Sequence, residues 1–193
     1  MKTPAILFGI ALSIACGTVT RQGTGSSFLI VESIEAASGA RGEFASTLQS
    51  DVVTMVDASR SLLQDSGRVT FSLGLKDGGA SSAVTAPSAA NAITIDRYRV
   101  RYIRADGRNA PGVDVPYGFD GAFTLTVADR ASAGFVVVRA QAKAEAPLAA
   151  LAEGAVFIST IAEVTFSGHD QTGRAVSVTG RIDVHFGNWA DSK

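Results

Sequence analysis

The densest run of charged and aromatic residues in this 193-residue sequence is Arg-Tyr-Arg-Val-Arg-Tyr, which begins at residue 97. Successive side chains of a β-strand point to opposite faces, so a strand here places Arg97, Arg99 and Arg101 on one face. Tyr98 and Tyr102 then share the other face. Guanidinium groups bind carboxylates and phosphates bidentately, which makes the arginine face a candidate docking surface. The alternative is a solvated face whose arginines pair with Asp or Glu on neighbouring strands.

Three aromatic side chains are candidates for stacking against sugar rings. Tyr98 and Tyr102 lie within this run, and Trp189 follows the last predicted strand. Trp189 either packs across one end of the domain or stays exposed as a contact for a partner or a sugar. A carbohydrate-binding module requires at least two such rings exposed in one plane.

Oxygen ligands collect in one predicted loop, where Asp106, Asn109 and Asp114 form a weak candidate calcium site. The spacing matches no EF-hand. Asp and Asn are also common turn formers, because their side chains bond nearby backbone amides. We expect turn formation rather than a metal site.

Catalytic motifs are not apparent. His169 and His185 are the only histidines, and the sequence shows no nucleophile elbow, HExxH, P-loop or CxxC motif. A hydrolase would need one of these histidines within reach of a serine or a carboxylate. We therefore expect no enzymatic activity and no cofactor, and ordinary surface roles for both histidines.

Charge and cysteine content restrict the classes of partner. The formal net charge is -1 and the isoelectric point is about 6.1, so no basic field exists to attract nucleic acid. Cys16 is the only cysteine, so the domain that follows it can contain no internal disulfide.

The N-terminus has the pattern of a secretory signal peptide over residues 1–15, with a lysine, a short apolar core and small residues before Cys16. This pattern resembles the lipobox of bacterial lipoproteins, in which the cysteine carries a diacylglycerol. It departs from the lipobox at Ser13, where leucine is usual. Ser13 and Ala15 equally suit ordinary signal peptidase, which would release a soluble protein. We favour lipidation at Cys16, followed by a Gly/Ser/Thr-rich tether over residues 16–27.

Residues 28–190 read as one domain of short strands. Residues 28–31 form an apolar run typical of a strand buried on both faces, and residues 69–75 alternate apolar and polar. Residues 92–104 and 119–127 predict one hairpin, and residues 158–186 predict a second. The apolar phase flips near Asp96, which predicts a β-bulge or a bend.

The remaining segments are predicted to form a loop, a further strand and a short helix. Residues 76–91, rich in Gly, Ala and Ser, predict a long loop, and residues 134–143 predict another strand. A single short helical crossover is expected near residues 147–153, between a proline and a glycine. The phenylalanines on the apolar parity of their strands predict core positions; they are Phe119, Phe123, Phe135, Phe166 and Phe186.

Seven to nine such strands predict an all-β fold, a single antiparallel β-sandwich. The pattern resembles immunoglobulin-like and fibronectin-like sandwiches, and the whole chain resembles uncharacterised exported bacterial lipoproteins. That resemblance implies a non-catalytic binding or scaffolding module, lipid-anchored in the cell envelope. Its expected partners are the membrane, through the anchor, and another envelope protein. The alternative is a secreted or surface carbohydrate-binding module with a glycan as ligand.

Overall fold

A computed structural model describes residues 25–189. The predictions for the signal peptide and for Cys16 lie outside the described residues. The strands are β1 (Ser27–Ala37), β2 (Thr47–Asp51), β3 (Thr54–Val56), β4 (Ser59–Ser61), β5 (Asp65–Leu75), β6 (Gly79–Ala80), β7 (Ala83–Val84), β8 (Ile93–Ile103), β9 (Phe119–Val127), β10 (Arg130–Val138), β11 (Ile158–Asp170) and β12 (Ala175–Gly187). One α-helix, α1, spans Ala140–Ala144, and 3-10 helices span Ala89–Asn91 and Leu148–Leu151.

Eight of the strands form two packed sheets, which confirms the predicted all-β sandwich. One sheet has the order β1-β5-β10 and the other the order β2-β12-β11-β8-β9. Every pairing in them is antiparallel except that of β2 with β12, which is parallel. The sheets approach each other at both margins, where β1 packs beside β12 and β10 beside β9. The short strands form two separate ribbons, β3-β4 and β6-β7.

The core lies between the two sheets and is rich in aromatic rings. Phe71 of β5 meets Phe166 of β11 edge to face, with ring centroids 5.0 Å apart. The phenylalanine prediction is confirmed, because four of the five side chains are buried and Phe123 packs against the core while half-buried. Burying the inner face of each strand removes apolar surface from water, which is the main favourable term in folding.

The predicted bulge lies at Asp96. The register of β8 shifts against β9 between Ile95 and Arg97, and the register of β11 against β8 shifts at Gly168. The extra residue lets Ile95 and Tyr98 both point into the core although three positions separate them. The two hairpins predicted around this strand are confirmed as β8-β9 and β11-β12.

Three local predictions differ from the structure. Residues 28–31 are not buried on both faces, because the outer face of β1 is open to solvent, and Phe28 and Ile30 lie exposed on it. The predicted strand over residues 134–143 ends at Val138 and gives way to α1, which follows from the high helix propensity of Ala, Gln and Lys. The expected helix near residues 147–153 is only the 3-10 turn Leu148–Leu151.

The connections between strands separate into two ends of the sandwich. The chain enters β1 at the N-terminal end, where segments 76–92, 128–129 and 171–174 also lie. The opposite end, called the far end here, consists of segments 52–64, 104–118, 139–157 and 188–189. Within residues 25–189, no helix is long and apolar enough to cross a membrane.

Candidate functional site

The arginine face is the outer face of the five-stranded sheet, as predicted. Arg101 lies opposite Glu163 of β11, and Arg181 of β12 contacts the same carboxylate from the other side, at 2.9 and 2.8 Å. Arg99 approaches Asp120 of β9 at 3.3 Å. Arg97 lies 3.6 Å from Asp96 at the bulge. Arg99 and Arg101 therefore pair with carboxylates on neighbouring strands, as the solvated-face interpretation expects, whereas the carboxylate near Arg97 belongs to the preceding residue of its own strand.

The electrostatics of this face centre on Glu163. The hydrogen bond from Arg181, reinforced by that from Arg101, holds the pKa of the Glu163 carboxyl below its usual range despite partial burial. In the next row along the strands, Thr165 shares its hydroxyl hydrogen bond with Thr179 at 3.0 Å and lies opposite Arg99, which approaches Asp120. The face presents matched charges rather than a positive stripe.

Tyr98 and Tyr102 point into the core, so their predicted role as sugar-stacking platforms is wrong. They are only 6% and 2% exposed. The Tyr102 hydroxyl donates to the carbonyl of Val137 at 2.7 Å, and the Tyr98 hydroxyl accepts from the Val136 amide at 3.1 Å. Burial, together with the charge of Asp65, raises the pKa of Tyr102. Both rings join the two sheets, and neither presents an exposed ring face on which a sugar could stack.

Trp189 packs across the far end, which was one of its two predicted roles. Its indole Nε1 donates to the carbonyl of Ser50, and its amide donates to Asp51, both at 3.1 Å. Its ring lies against Phe157, with centroids 6.3 Å apart and planes tilted by 41°. Phe157 itself is 59% exposed. In this pair, hydrogen bonds fix Trp189 in place, while the Phe157 ring is open to solvent.

The oxygen-rich loop is occupied by its own turn contacts. Asp106 accepts hydrogen bonds from Arg104 and Arg108, and the bond from Arg104 is the main reason that the pKa of Asp106 lies well below its usual range. Asn109 accepts from the Arg104 amide at 2.6 Å, and Asp114 from the Ala110 amide at 3.1 Å. These contacts match the turn-forming alternative. Across residues 25–189, no group of three His, Cys, Asp or Glu side chains is placed to hold a metal ion.

The histidines each have a polar neighbour. His185 Nδ1 lies 2.9 Å from Ser159 Oγ across the β11-β12 pair, and His169 lies 3.5 Å from Asp96. Both pairs lie on the open face of the sheet, where water has free access. In the part of the chain described, no third side chain bonds His185 to orient it as a base would require. These contacts are those of polar cross-strand pairs.

The two long loops over residues 76–91 and 106–116, which a partner could contact, lie at opposite ends of the domain. Residues 76–91 lie at the N-terminal end and carry the β6-β7 ribbon, whereas residues 106–116 lie at the far end. The arginine face runs between them. A partner that contacts both loops would have to span the length of the sandwich, so they do not form one compact site.

The exposed apolar side chains are concentrated at the far end, which sequence reasoning missed. Seven of the eleven large exposed apolar residues in the described chain lie there: Met55, Val56, Leu62, Val113, Tyr117, Val156 and Phe157. Arg60 of β4 bridges to Glu153 at 2.7 Å, which ties the β3-β4 ribbon to the segment that carries Phe157. Exposed apolar groups rimmed by polar ones mark interaction surfaces more often than chance.

A buried charged group was also missed. Lys143 of α1 and Asp65 of β5 form an ion pair at 2.9 Å with side chains 1% and 0% exposed. Ser50 of β2 donates to the second Asp65 oxygen at 2.6 Å, and the Gly39 amide donates to the first at 2.9 Å. The signal that was available is the helix-forming composition of residues 140–144. In the observed helix the Lys143 side chain points inward, whereas the predicted strand would place it on the polar face.

Comparison with known proteins adds no family assignment. No protein-family model matches the chain, and no curated protein matches it.

Proposed function

We propose that this protein is a non-catalytic binding module of the bacterial cell envelope, lipid-anchored through Cys16, whose far end contacts another envelope protein. The observation that carries the proposal is the placement of the exposed apolar residues. They lie at the end of the sandwich opposite Ser27, the point at which the chain from Cys16 enters the domain. An anchor at Cys16, through the predicted tether, therefore leaves the far end free to meet a partner away from the membrane.

The far end is suited to a protein partner. Phe157 and Val156 are 59% and 67% exposed. The Trp189 ring packs against the Phe157 ring, and the hydrogen bond from its indole to the Ser50 carbonyl holds it in place. An aromatic side chain held by a rigid neighbour loses little conformational entropy on binding, which is a property of interface hot spots. The Arg60–Glu153 pair supplies a polar rim.

The test is site-specific photo-crosslinking in a bacterial host that expresses the full chain. A photoreactive phenylalanine analogue replaces Phe157 in one strain and Thr165, on the outer sheet face, in a matched control strain. The proposal expects a discrete crosslinked protein at position 157 and none at position 165. Crosslinking at position 165 alone, or at neither position in cells grown to several stages, would contradict it.

The second candidate is a secreted or surface carbohydrate-binding module, for which the exposed Phe157 ring beside Trp189 is the available aromatic surface, although the two rings are tilted by 41° and do not share one plane. Trp189 is the only tryptophan in the chain, so its fluorescence reports on this pair alone. A saturable change on titration with envelope oligosaccharides would favour the glycan. Constant fluorescence, together with a crosslinked protein at position 157, would favour the protein partner.

A further inference from the structure

We propose that Lys143 and Asp65 condense to an amide, so that an intramolecular isopeptide bond joins α1 to β5. The two side chains are in hydrogen-bond contact at 2.9 Å and are almost fully withdrawn from water. Lys143 Nζ donates to Asp65 Oδ1, an atom bonded to the carbon that the amine would attack, and such fixed proximity replaces the improbable encounter of two free groups.

The reaction is balanced within the pair. One ammonium proton passes to the carboxylate along the existing hydrogen bond, which leaves a neutral amine and a carboxylic acid. The Nζ lone pair then attacks Cγ, and a new C–N bond forms. A second Nζ proton moves to the carboxyl oxygen that leaves, the C–O bond breaks, and one water molecule departs. No oxidant or further reactant is needed.

Ser50 and Gly39 are positioned to assist this step. Ser50 Oγ donates to Asp65 Oδ2 at 2.6 Å, where negative charge develops as Nζ attacks the carbon. The Gly39 amide donates to Oδ1 at 2.9 Å and holds the carboxyl plane in place. Ser50 is itself fully buried, so its hydroxyl is fixed rather than exchanging with solvent. Ser50 is a positioning residue here and forms no covalent bond.

Burial supplies the driving force. Two charges held out of water carry a desolvation cost, and their conversion to a neutral amide and a released water removes it. The cross-link closes a loop between residues 78 apart, which restricts the unfolded chain as a disulfide does. Because Cys16 is the only cysteine in the sequence, no intramolecular disulfide can supply this restriction.

Intact mass spectrometry of the full chain under denaturing conditions is the test. The wild type is expected at the mass of its processed chain less one water, and Lys143→Arg and Asp65→Ala at their full sequence masses. The mass is measured on denatured protein, so the wild-type mass alone shows whether the bond has formed, even if a variant fails to fold. A wild type at full sequence mass after prolonged incubation of the folded protein would overturn the proposal.

Tryptic digestion locates the bond. Trypsin does not cleave after an acylated lysine, so residues 61–68 should appear joined to residues 140–174. Separate peptides 61–68 and 140–143 in the wild type would overturn the assignment. Ser50→Ala is expected to lower the fraction condensed at a fixed time after synthesis, and an unchanged fraction would remove Ser50 from the account.

Discussion

The Tyr102 hydroxyl lies 2.7 Å from the carbonyl oxygen of Val137, and this hydrogen bond links the inner strand of one sheet to the margin of the other. Tyr98 makes the companion contact by accepting from the Val136 amide. The register of β10 against β5 shifts between Val136 and Val138, and the two tyrosines satisfy backbone groups at this irregularity. They contribute to closing the sandwich rather than to binding a ligand.

Tyr102→Phe is therefore expected to destabilise the domain by about 1–3 kcal/mol, because it leaves the buried Val137 carbonyl without this donor. Urea unfolding followed by tryptophan fluorescence measures the change. Tyr117→Phe is the matched control: Tyr117 is 53% exposed, and its variant should stay within about 0.5 kcal/mol of the wild type. Equal effects for the two variants would contradict the assigned role of Tyr102.

The bulge at Asp96 leads to a second prediction at Gly168. A Cβ on Gly168 would fall on the carbonyl oxygen of Thr94 and within 2.7 Å of Ile95 Cα, and backbone cannot move aside cheaply. Gly168→Ala should cost about 1–3 kcal/mol or more. Gly134→Ala, in an exposed position of β10 where the nearest atom lies at 3.9 Å, should be neutral or slightly stabilising. Thermal unfolding of both variants measures these effects. A Gly168→Ala variant as stable as the wild type would contradict the close approach of the two backbones at the bulge.

The arginine face leads to a pH-dependent prediction at Glu163. The lowered pKa of Glu163 in the folded protein means that its carboxylate stabilises the fold fully above the unfolded value of 4.5. This contribution is lost as the pH falls through the lower folded pKa. The difference in Tm between the wild type and Glu163→Gln should therefore be constant near neutral pH and shrink below about pH 4.5. A difference in Tm that grows as the pH falls would mean that folding raises the pKa of Glu163, which would contradict its contacts with Arg101 and Arg181.

Removal of the predicted docking arginines tests that face directly. Changing Arg97, Arg99 and Arg101 together to Ser should lower stability by no more than about 1 kcal/mol for each pair, because exposed ion pairs contribute little. Crosslinking from position 157 should persist in this variant. Loss of the crosslinked partner in a variant that remains folded would instead make the arginine face the interface.

Much of the sandwich could be predicted, because apolar side chains at every second residue indicate a β-strand with one buried face. The alternation in β5, β11 and β12 and the phase change at Asp96 are local properties of the sequence, and the structure reproduces them. The parallel pairing of β2 with β12 joins residues far apart in the chain, and no local pattern specifies it.

The candidate site was harder to predict, because exposure depends on which neighbours the fold supplies. Phe28 and Ile30 carry the pattern of core residues yet lie open on β1, since no element within residues 25–189 covers that face. Lys143 carries the pattern of a surface residue yet is buried against Asp65, since α1 replaces the predicted strand. The aromatic pair at the far end joins residues from two connections whose meeting depends on the whole topology.

The lipid anchor at Cys16 is the central claim of the proposed function. Intact mass and membrane fractionation of the wild type and a Cys16→Ser variant, expressed in a bacterial host, test this directly. We expect the wild type to gain the mass of a lipid at Cys16 and to pellet with membranes, while the variant does neither. A wild type released in soluble and unmodified form would contradict the anchor and make Ser13-Ile14-Ala15 an ordinary cleavage site.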